Sequence, residues 1–294
     1  MAQTIRNPIE WSADLVKDGL RYTESVGEHL GGEGADPLAE LPQIRQIGIS
    51  DLKDSLKKGV ADFAACRTDI AFLCIIYPIV GLFVTWLAFD RNLLPLIFPA
   101  ASGFALLGPV AAVGAYELSR RRERGEPASW GDALKVLASP SFAAILVLGL
   151  GLLAVFAAWM LAAFGVYSAT MGPEAPESAR TFLRDVLTTG AGWTMIVVGF
   201  AVGFVFAAAV LAVSLISFPL LLDRNVGLPA AVLTSVKVTM ANLRTVATWG
   251  LIVAAGLALG SIPAFLGLII VMPVLGHATW HLYRKAVVPP EAAA

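Results

Sequence analysis

The chain has 294 residues, of which 57% are hydrophobic and 15% charged, and its mean hydropathy is +0.74. Soluble domains contain about 45–50% apolar and about 25% charged residues, so this composition excludes an ordinary soluble protein and indicates a polytopic membrane protein. With a net charge of −1 and most of its surface in lipid, the chain is not expected to bind nucleic acid. The lipid bilayer is its expected partner.

Residues 1–42 are predicted to form a flexible, amphipathic arm in the cytoplasm. The arm has no apolar segment of the kind found in a cleaved signal peptide, so we expect the first membrane helix to direct insertion. Residues 43–288 are then predicted to form the membrane domain, and residues 289–294 a disordered tail.

A second amphipathic helix is predicted over residues 50–67, with Ser50 as its N-cap. Its apolar stripe consists of Leu52, Leu56, Val60 and Phe63. The opposite face carries Lys53, Lys57 and Lys58. Such a basic face suits the anionic surface of a cytoplasmic leaflet, and it is equally typical of a solvated helix beside a membrane span.

Six membrane spans are predicted from the uncharged stretches, since a helix of about 20 residues crosses the roughly 30 Å hydrocarbon core. The first four lie at residues 70–89, 93–116, 142–164 and 193–222. Residues 246–283 are about twice as long as one span needs, so we divide them into two helices at the Gly- and Pro-containing residues 260–263. The external loop at residues 167–192 is predicted to contain a short helix at residues 179–187.

The distribution of Lys and Arg predicts the orientation of the spans, because positive charge accumulates in cytoplasmic loops. Apart from the arm, fifteen of these residues lie on the side of the termini and three, Arg91, Arg180 and Arg184, lie on the other side. Both termini are therefore predicted to be cytoplasmic.

The cytoplasmic segments and the even-numbered spans indicate an internal threefold repeat. Related tetrapeptides precede the first, third and fifth spans: DSLK at residues 54–57, DALK at residues 132–135 and TSVK at residues 234–237. The second, fourth and sixth spans carry a proline in their later half, namely Pro109, Pro219 and Pro273. We therefore predict an all-α fold of three repeats, each a cytoplasmic helix followed by a helical hairpin, around an axis along the membrane normal. Chance similarity among apolar segments is the alternative.

Five stretches carry a family resemblance: IRQIGISDLKDSLKKGVADF, TDIAFLCIIYPIVG, SWGDALK, FPLLLDRNVGLPAAVLTSV and PVLGHATWHLYRK. In these the chain resembles, over about residues 43–287, a bacterial family of six-span integral membrane proteins known as domain of unknown function 2189. The resemblance implies a multi-pass protein of the bacterial inner membrane, and it implies no catalytic residue.

Four ionisable residues near the ends of the even-numbered spans form the candidate site: Glu117, Asp223, His277 and His281. The two histidines lie four residues apart and share one helix face, which is the spacing of helical metal ligands, but no Glu lies between them as in a metalloprotease. Counted from the prolines, Glu117 is equivalent to His281 and Asp223 to His277, so a threefold axis would place all four around its cytoplasmic mouth. Such a cluster favours a pH-sensitive latch or a weak metal site. The alternatives are that the four side chains point separately into the lipid headgroups as an ordinary interfacial belt, or that they contact a partner or lipid.

The sequence has no recognisable nucleophile with a base, no glycine-rich nucleotide motif and no charged residue in the centre of any span. We therefore expect a protein that is not an enzyme and has no cofactor. It would be a scaffold, assembly factor or accessory subunit, acting with a membrane-protein partner or a second copy of the chain. Small-residue pairs at Gly199 and Gly203 and at Gly256 and Gly260 favour close helix packing. The alternative is a transporter or channel for an apolar or lipid-like substrate, which a lined cavity on the axis would favour, as a filled axis would favour the scaffold.

Overall fold

The computed structural model describes residues 41–74, 78–79, 81–83, 86, 94–174 and 176–289. The predicted arm up to residue 40, part of the first predicted span and the predicted tail after residue 289 lie outside these residues. The described part is all-α, as predicted, apart from one isolated antiparallel β-bridge between Ile44 and Val287.

The α-helices of the described residues are numbered here in chain order. They are α1 (Ile49–Cys74), α2 (Ile97–Phe104), α3 (Gly108–Ala111), α4 (Val113–Glu123), α5 (Trp130–Ala133), α6 (Phe142–Thr170), α7 (Ala179–Thr188), α8 (Gly190–Ser214), α9 (Ser217–Asp223), α10 (Leu228–Ala241), α11 (Leu243–Ser261) and α12 (Leu268–Ala286). Short 3₁₀ helices lie at Leu94–Leu96, Ala105–Leu107 and Leu134–Ala138. The helix predicted in the external loop is α7, which confirms that prediction.

Four helical stretches of the described residues are long and apolar enough to cross a membrane: Leu94–Glu123, Phe142–Thr170, Gly190–Asp223 and Leu243–Ser261. They correspond to the second to fifth predicted spans. The predicted sixth span is α12, whose second half carries His277, His281, Arg284 and Lys285, so this helix is less apolar than the four. The described residues therefore give several spans, and the count of six stays a prediction.

The division of the last apolar stretch lies where the glycine and proline predicted it. Helix α11 ends at Ser261 and α12 begins at Leu268, and the turn between them holds Ala264 and Phe265 at φ of 51° and 66°. A Cβ on Gly260 would lie 3.3 Å from the backbone of Gly267. Because neither glycine has a side chain, the end of α11 and the start of α12 can lie close together.

Two of the three prolines lie near breaks in their helices, and the third lies inside a continuous helix. Pro109 lies in the first turn of α3, and a break at Ala112 separates α3 from α4. Pro219 lies in α9, which follows a break after α8, and Pro273 lies inside α12. Proline removes a backbone donor and crowds the preceding turn, which explains the breaks near Pro109 and Pro219.

The most completely buried part of the described chain is the end of the bundle that is predicted to face the cytoplasm. Here α4, α9 and α12 contact one another, and Phe218, Trp280 and Tyr283 are at most 1% exposed. Further along, the spans expose large apolar side chains, as helices that face lipid do. Helix α8 is the least buried of these spans. Only 6% of its most apolar stretch is buried inside the protein, compared with 33% for α6.

Each of the helices that are predicted to lie on the cytoplasmic side packs against one of these three helices. Helix α1 lies along α12, α5 lies against α4, and α10 lies against α9. The segment before α1 is tied down as well, since Arg45 N donates to Ala286 O at 2.8 Å and Ile47 N donates to Asn242 Oδ1 at 2.8 Å. These bonds fix the start of α1 beside α12.

The buried face of α1 differs from the predicted apolar stripe. The buried residues are Leu52, Ser55, Gly59, Asp62 and Cys66. Val60 of the predicted stripe is instead 52% exposed, and α1 begins at Ile49, so Ser50 is not its N-cap. The basic face with Lys53, Lys57 and Lys58 is exposed, as predicted.

Close helix packing explains the altered face of α1. A Cβ on Gly59 would lie 2.7 Å from Ala278 N and 2.8 Å from Val274 O of α12, so a side chain there would collide with backbone. Helix α1 therefore turns its smallest residues toward α12, and Val60, the next residue along, points away from it. The prediction followed apolarity, whereas the contact is decided by size.

Candidate functional site

The four predicted site residues divide between two neighbouring places at the buried end of the bundle. His277 and His281 meet Asp62 of α1, His281 directly and His277 through Ser119. Glu117 and Asp223 border a cavity. The structure therefore brings the two histidines together and the two acids together, but it does not gather all four around one point.

The first place, which we call the Asp62 network, consists of Asp62, Ser119, Arg122, His277 and His281. Asp62 Oδ2 lies 2.6 Å from Ser119 Oγ and 2.8 Å from His281 Nε2, and Asp62 Oδ1 lies 2.9 Å from Arg122 Nε. His277 Nδ1 lies 2.7 Å from Ser119 Oγ. The network thus connects α1, α4 and α12 through one carboxylate.

The geometry fixes where the protons of the Asp62 network lie. An ionised carboxylate only accepts hydrogen bonds, so both Ser119 Oγ and His281 Nε2 donate to Asp62. Since a serine hydroxyl has one proton, Ser119 Oγ accepts from His277 Nδ1. The donors therefore run in one direction, from α12 through α4 to α1.

The pKa of Asp62 reflects two opposing effects. Burial raises the pKa of a carboxyl group, and the side chain of Asp62 is only 10% exposed. The hydrogen bonds from His281, Ser119 and Arg122 outweigh burial and lower the pKa of Asp62 from 3.8 to about 2. Asp62 precedes the first predicted span and is ionised at neutral pH, so the network contains a buried negative charge held by its partners.

The composition of the Asp62 network invites comparison with a catalytic triad, but the order of its hydrogen bonds is different. In a triad the serine donates to the histidine and the histidine to the carboxylate. Here Ser119 donates to Asp62, and both Ser119 and His277 have no exposed surface. Among residues 41–289, so far as the structure describes them, no group of three or more His, Cys, Asp or Glu is arranged to hold a metal ion.

Asp223 and Glu123 extend the polar contacts around the end of α12. Asp223 accepts from Tyr283 Oη at 2.6 Å and from Arg284 Nη1 at 3.3 Å. Glu123 accepts from Trp280 Nε1 and from Arg284 Nε, both at 3.0 Å. Arg284 therefore joins the ends of α4 and α9 through α12.

Glu117 is buried and pairs with arginines of its own helix. Its carboxylate lies 2.7 Å from Arg120 Nη2 and 2.9 Å from Arg121 Nε. Arg120 also reaches α9, where its Nη1 donates to Leu222 O at 2.9 Å. Glu117 is thus held in place by two cations that themselves face a neighbouring cavity.

The second place is a cavity of about 370 Å³ between α4, the 3₁₀ helix Leu134–Ala138, the start of α6 and the end of α9. We call it the basic cavity because its charged lining residues are the cations Arg120, Arg121, Lys135 and Arg224 and the acids Glu117 and Asp223. Residues 139–141, two of which are serines, also line the cavity. The predicted acids are therefore accompanied by a larger number of basic groups.

Sequence reasoning missed Asp62, Ser119 and Arg122. A signal for Asp62 was present, because it lies three residues after Gly59 and seven after Ser55, on the helix face that carries the smallest residues. An acid on such a face indicates a partnered carboxylate at a close helix contact. Nothing in the neighbourhood of Ser119 or Arg122 distinguishes them in the sequence.

Comparison with known proteins supports the membrane assignment. A family model described as a predicted integral membrane protein, domain of unknown function 2189, matches residues 97–223. The match confirms the resemblance from α2 to the end of α9, while α1 and α12 lie outside it. No curated protein and no solved structure matches the chain. The chain is accordingly similar to integral membrane proteins whose function the family description does not name.

Proposed function

We propose that this integral membrane protein is non-catalytic and acts as a scaffold, assembly factor or accessory subunit in the bacterial inner membrane, with both termini in the cytoplasm. The observation that carries the proposal is the filled centre of the bundle end. Here α4, α9 and α12 bond directly to one another, through Arg120 to Leu222 O, Ser119 to His277 and Arg284 to Asp223. Because these helices are bonded to one another at one end, their relative arrangement is fixed, which suits a scaffold.

The Asp62 network supports a structural role. A nucleophile needs a base that takes its proton and an opening through which substrate arrives. Ser119 is fully buried and donates its hydrogen bond to Asp62, which is ionised and also bonded to His281 and Arg122. The network holds three helices, α1, α4 and α12, together.

Helix α8 supplies a surface for a partner within the membrane. Val197 and Phe204 lie two turns apart on one face and are 64% and 73% exposed. The predicted small-residue pair on this helix is divided, since Gly203 packs against Trp159 whereas a Cβ on Gly199 would meet open space. The outer face of α8 is thus free of contacts from the described chain at this point, and we assign it to a membrane-protein partner or a second copy.

The experiment uses the full chain, tagged and purified from its native membranes in mild detergent. We expect a protein partner, or a second copy, at a fixed stoichiometry. Val197→Ala with Phe204→Ala should release it. The matched control, Leu150→Ala with Leu161→Ala, removes apolar area from exposed positions of α6 (56% and 73% exposed) and should retain it.

A second measurement addresses the transporter alternative. The purified chain is placed in vesicles that contain a fluorescent lipid, and exchange of that lipid between leaflets is followed with an impermeant quencher. A scaffold should leave the exchange at the rate of protein-free vesicles. Exchange that is faster with the protein, together with no stoichiometric partner, would contradict the proposal.

A further inference from the structure

The lining of the basic cavity holds more cationic side chains than carboxylates, although each cation has a carboxylate within 4 Å. Its lining contains four cationic side chains and two carboxylates. Asp132, beside the cavity, pairs with Lys135 at 2.6 Å and with Arg121 at 3.3 Å, and Glu117 pairs with Arg120 and Arg121. Even with Asp132 counted, the cations outnumber the acids, so the cavity favours an anion.

Arg120 and Arg224 bring two guanidinium groups to the lining of the cavity, and the Nε atom of each is buried. A guanidinium carries five N–H groups. In the described residues, Arg120 bonds to Leu222 O and Glu117 while its Nε has no hydrogen-bond partner. Arg224 bonds to Val288 O, and its Nε likewise has none. Planar donors arranged around a cavity suit the oxygens of a phosphate group.

The start of α6 adds a further positive end to the same cavity. Helix α6 is 29 residues long and begins after Ser141, which lines the cavity and makes no capping bond with its side chain. The N–H of Phe142 already donates to Ser139 O, so the helix contributes through its dipole, which favours an anion near its start. The start of α6 and the arginines therefore both favour an anion in the basic cavity.

The surroundings of the basic cavity indicate where the phosphate comes from. Leu134 and Leu137, on the 3₁₀ helix that forms one wall, are 49% and 62% exposed. On α6, Leu146 and Leu150 continue an exposed apolar surface away from the cavity, at 49% and 56% exposed. A phospholipid can lay its acyl chains along this surface while its headgroup enters the cavity.

We propose that the basic cavity binds the phosphate group of an anionic phospholipid from the leaflet that surrounds this end of the bundle. Arg120, Arg224 and Lys135 hold the phosphate oxygens, and the exposed leucines of the 3₁₀ helix and α6 contact the acyl chains. A volume of about 370 Å³ lies in the range of small-ligand sites. The lipid site does not depend on the scaffold proposal. The partner-capture experiment tests the outer face of α8, and the lipid-exchange experiment tests transport, so either can fail without the lipid site failing.

The test is native mass spectrometry of the full chain in detergent, titrated with phosphatidylglycerol or with phosphatidylcholine, whose phosphate is offset by a quaternary ammonium. We expect phosphatidylglycerol to bind roughly tenfold more tightly, because the cations of the cavity repel the quaternary ammonium of phosphatidylcholine, at a cost of about 1.4 kcal/mol. Lys135→Gln with Arg224→Gln should remove this preference. The matched control, Lys237→Gln with Arg244→Gln, removes two exposed positive charges of the predicted cytoplasmic side and should keep it.

Free glycerol 3-phosphate and inorganic phosphate distinguish the source of the phosphate. Neither should displace phosphatidylglycerol at an equal concentration, and displacement by either would overturn the assignment to a lipid. Equal binding of the two lipids, or equal binding by the cavity variant and the control, would overturn the site itself. If the double variant does not fold, Lys135→Gln alone decides, since this side chain is 60% exposed and its loss should weaken binding roughly threefold.

Discussion

Replacement of Asp62 by Asn tests whether the Asp62 network stabilises the contact between α1, α4 and α12. Asn keeps the shape of the side chain and removes the charge to which Ser119, His281 and Arg122 are bonded. The difference between a carboxyl pKa of 3.8 and the value of about 2 at Asp62 corresponds to about 2–3 kcal/mol. Hydrogen bonds to charged groups, at about 1.5–3 kcal/mol, give a similar magnitude.

The measurement is thermal unfolding of the full chain in detergent at pH 7, followed by circular dichroism. Asp62→Asn should lower the free energy of unfolding by about 2–3 kcal/mol, which lowers Tm on the order of 5–10 °C. The matched control is Asp54→Asn on the same helix, whose carboxylate is 42% exposed and pairs with Lys58 and Lys285. Exposed ion pairs contribute about 0–1 kcal/mol, so the control should change little.

The pH dependence of this difference has a definite sign. The pKa of Asp62 is lower in the folded protein than in the unfolded chain, so its stabilisation is complete above the unfolded value and is lost as the pH falls through the folded value. The difference between the wild type and Asp62→Asn should therefore fall between pH 5 and pH 3 to about half of its value at pH 5. Equal effects of Asp62→Asn and Asp54→Asn, or a difference that does not shrink at pH 3, would refute the role assigned to Asp62.

Two further predictions follow from single contacts, and a third follows from the predicted topology. Gly59→Ala places a Cβ 2.7 Å from backbone of α12 and should destabilise the protein by about 1–3 kcal/mol, whereas Gly165→Ala, which meets nothing within 4 Å, should be neutral or stabilising by up to about 1 kcal/mol in the same unfolding assay. Tyr283→Phe removes a hydroxyl that lies 2.6 Å from a carboxylate and should cost about 1–2 kcal/mol; an unchanged Tm would contradict that bond. In a cysteine-free background, Glu177→Cys should react with an impermeant maleimide added to intact cells and Glu126→Cys should react only after lysis, and the reverse pattern would invert the predicted topology.

Features that depend on local chemistry were predictable from the sequence. The turn at residues 260–263 follows from glycine and proline, and the helix α7 begins after Ser178, whose Oγ accepts from Thr181 N at 3.1 Å. The ends of spans were less predictable, because helices continue beyond the lipid. Helix α4 runs to Glu123 and α6 to Thr170, past the predicted ends at residues 116 and 164.

The Asp62 network could not be predicted because its members are distant in sequence. Ser119 and His281 lie 57 and 219 residues from Asp62. Their encounter depends on which face α1 turns toward α12, and that choice rests on Gly59 rather than on the apolar stripe. Periodicity describes how much apolar surface a helix has, but the close approach of two backbones is decided by the smallest side chains.

The contacts among helices bear on the predicted threefold repeat. In a closed ring of three units, the cytoplasmic helix of each unit lies on the proline-containing helix of the unit before it, and the first lies on the last. The observed neighbours follow this order: α5 packs against α4, α10 against α9, and α1 against α12. A small residue stands five positions after the proline in two of the units, where Gly114 faces Ala133 and Ala278 faces Gly59.

The second unit lacks this small residue, since the position five residues after Pro219 is Arg224, beyond the end of α9. This shorter helix leaves room beside α4, and the basic cavity occupies that room with Arg224 on its wall. The repeat stays a prediction, yet it gives the cavity a cause. The proline-containing helices of the first and third units continue and bond to each other through Ser119 and His277, whereas that of the second unit ends early. The centre of the bundle end is thus filled, and its one incomplete unit is where we place the phosphate of a lipid.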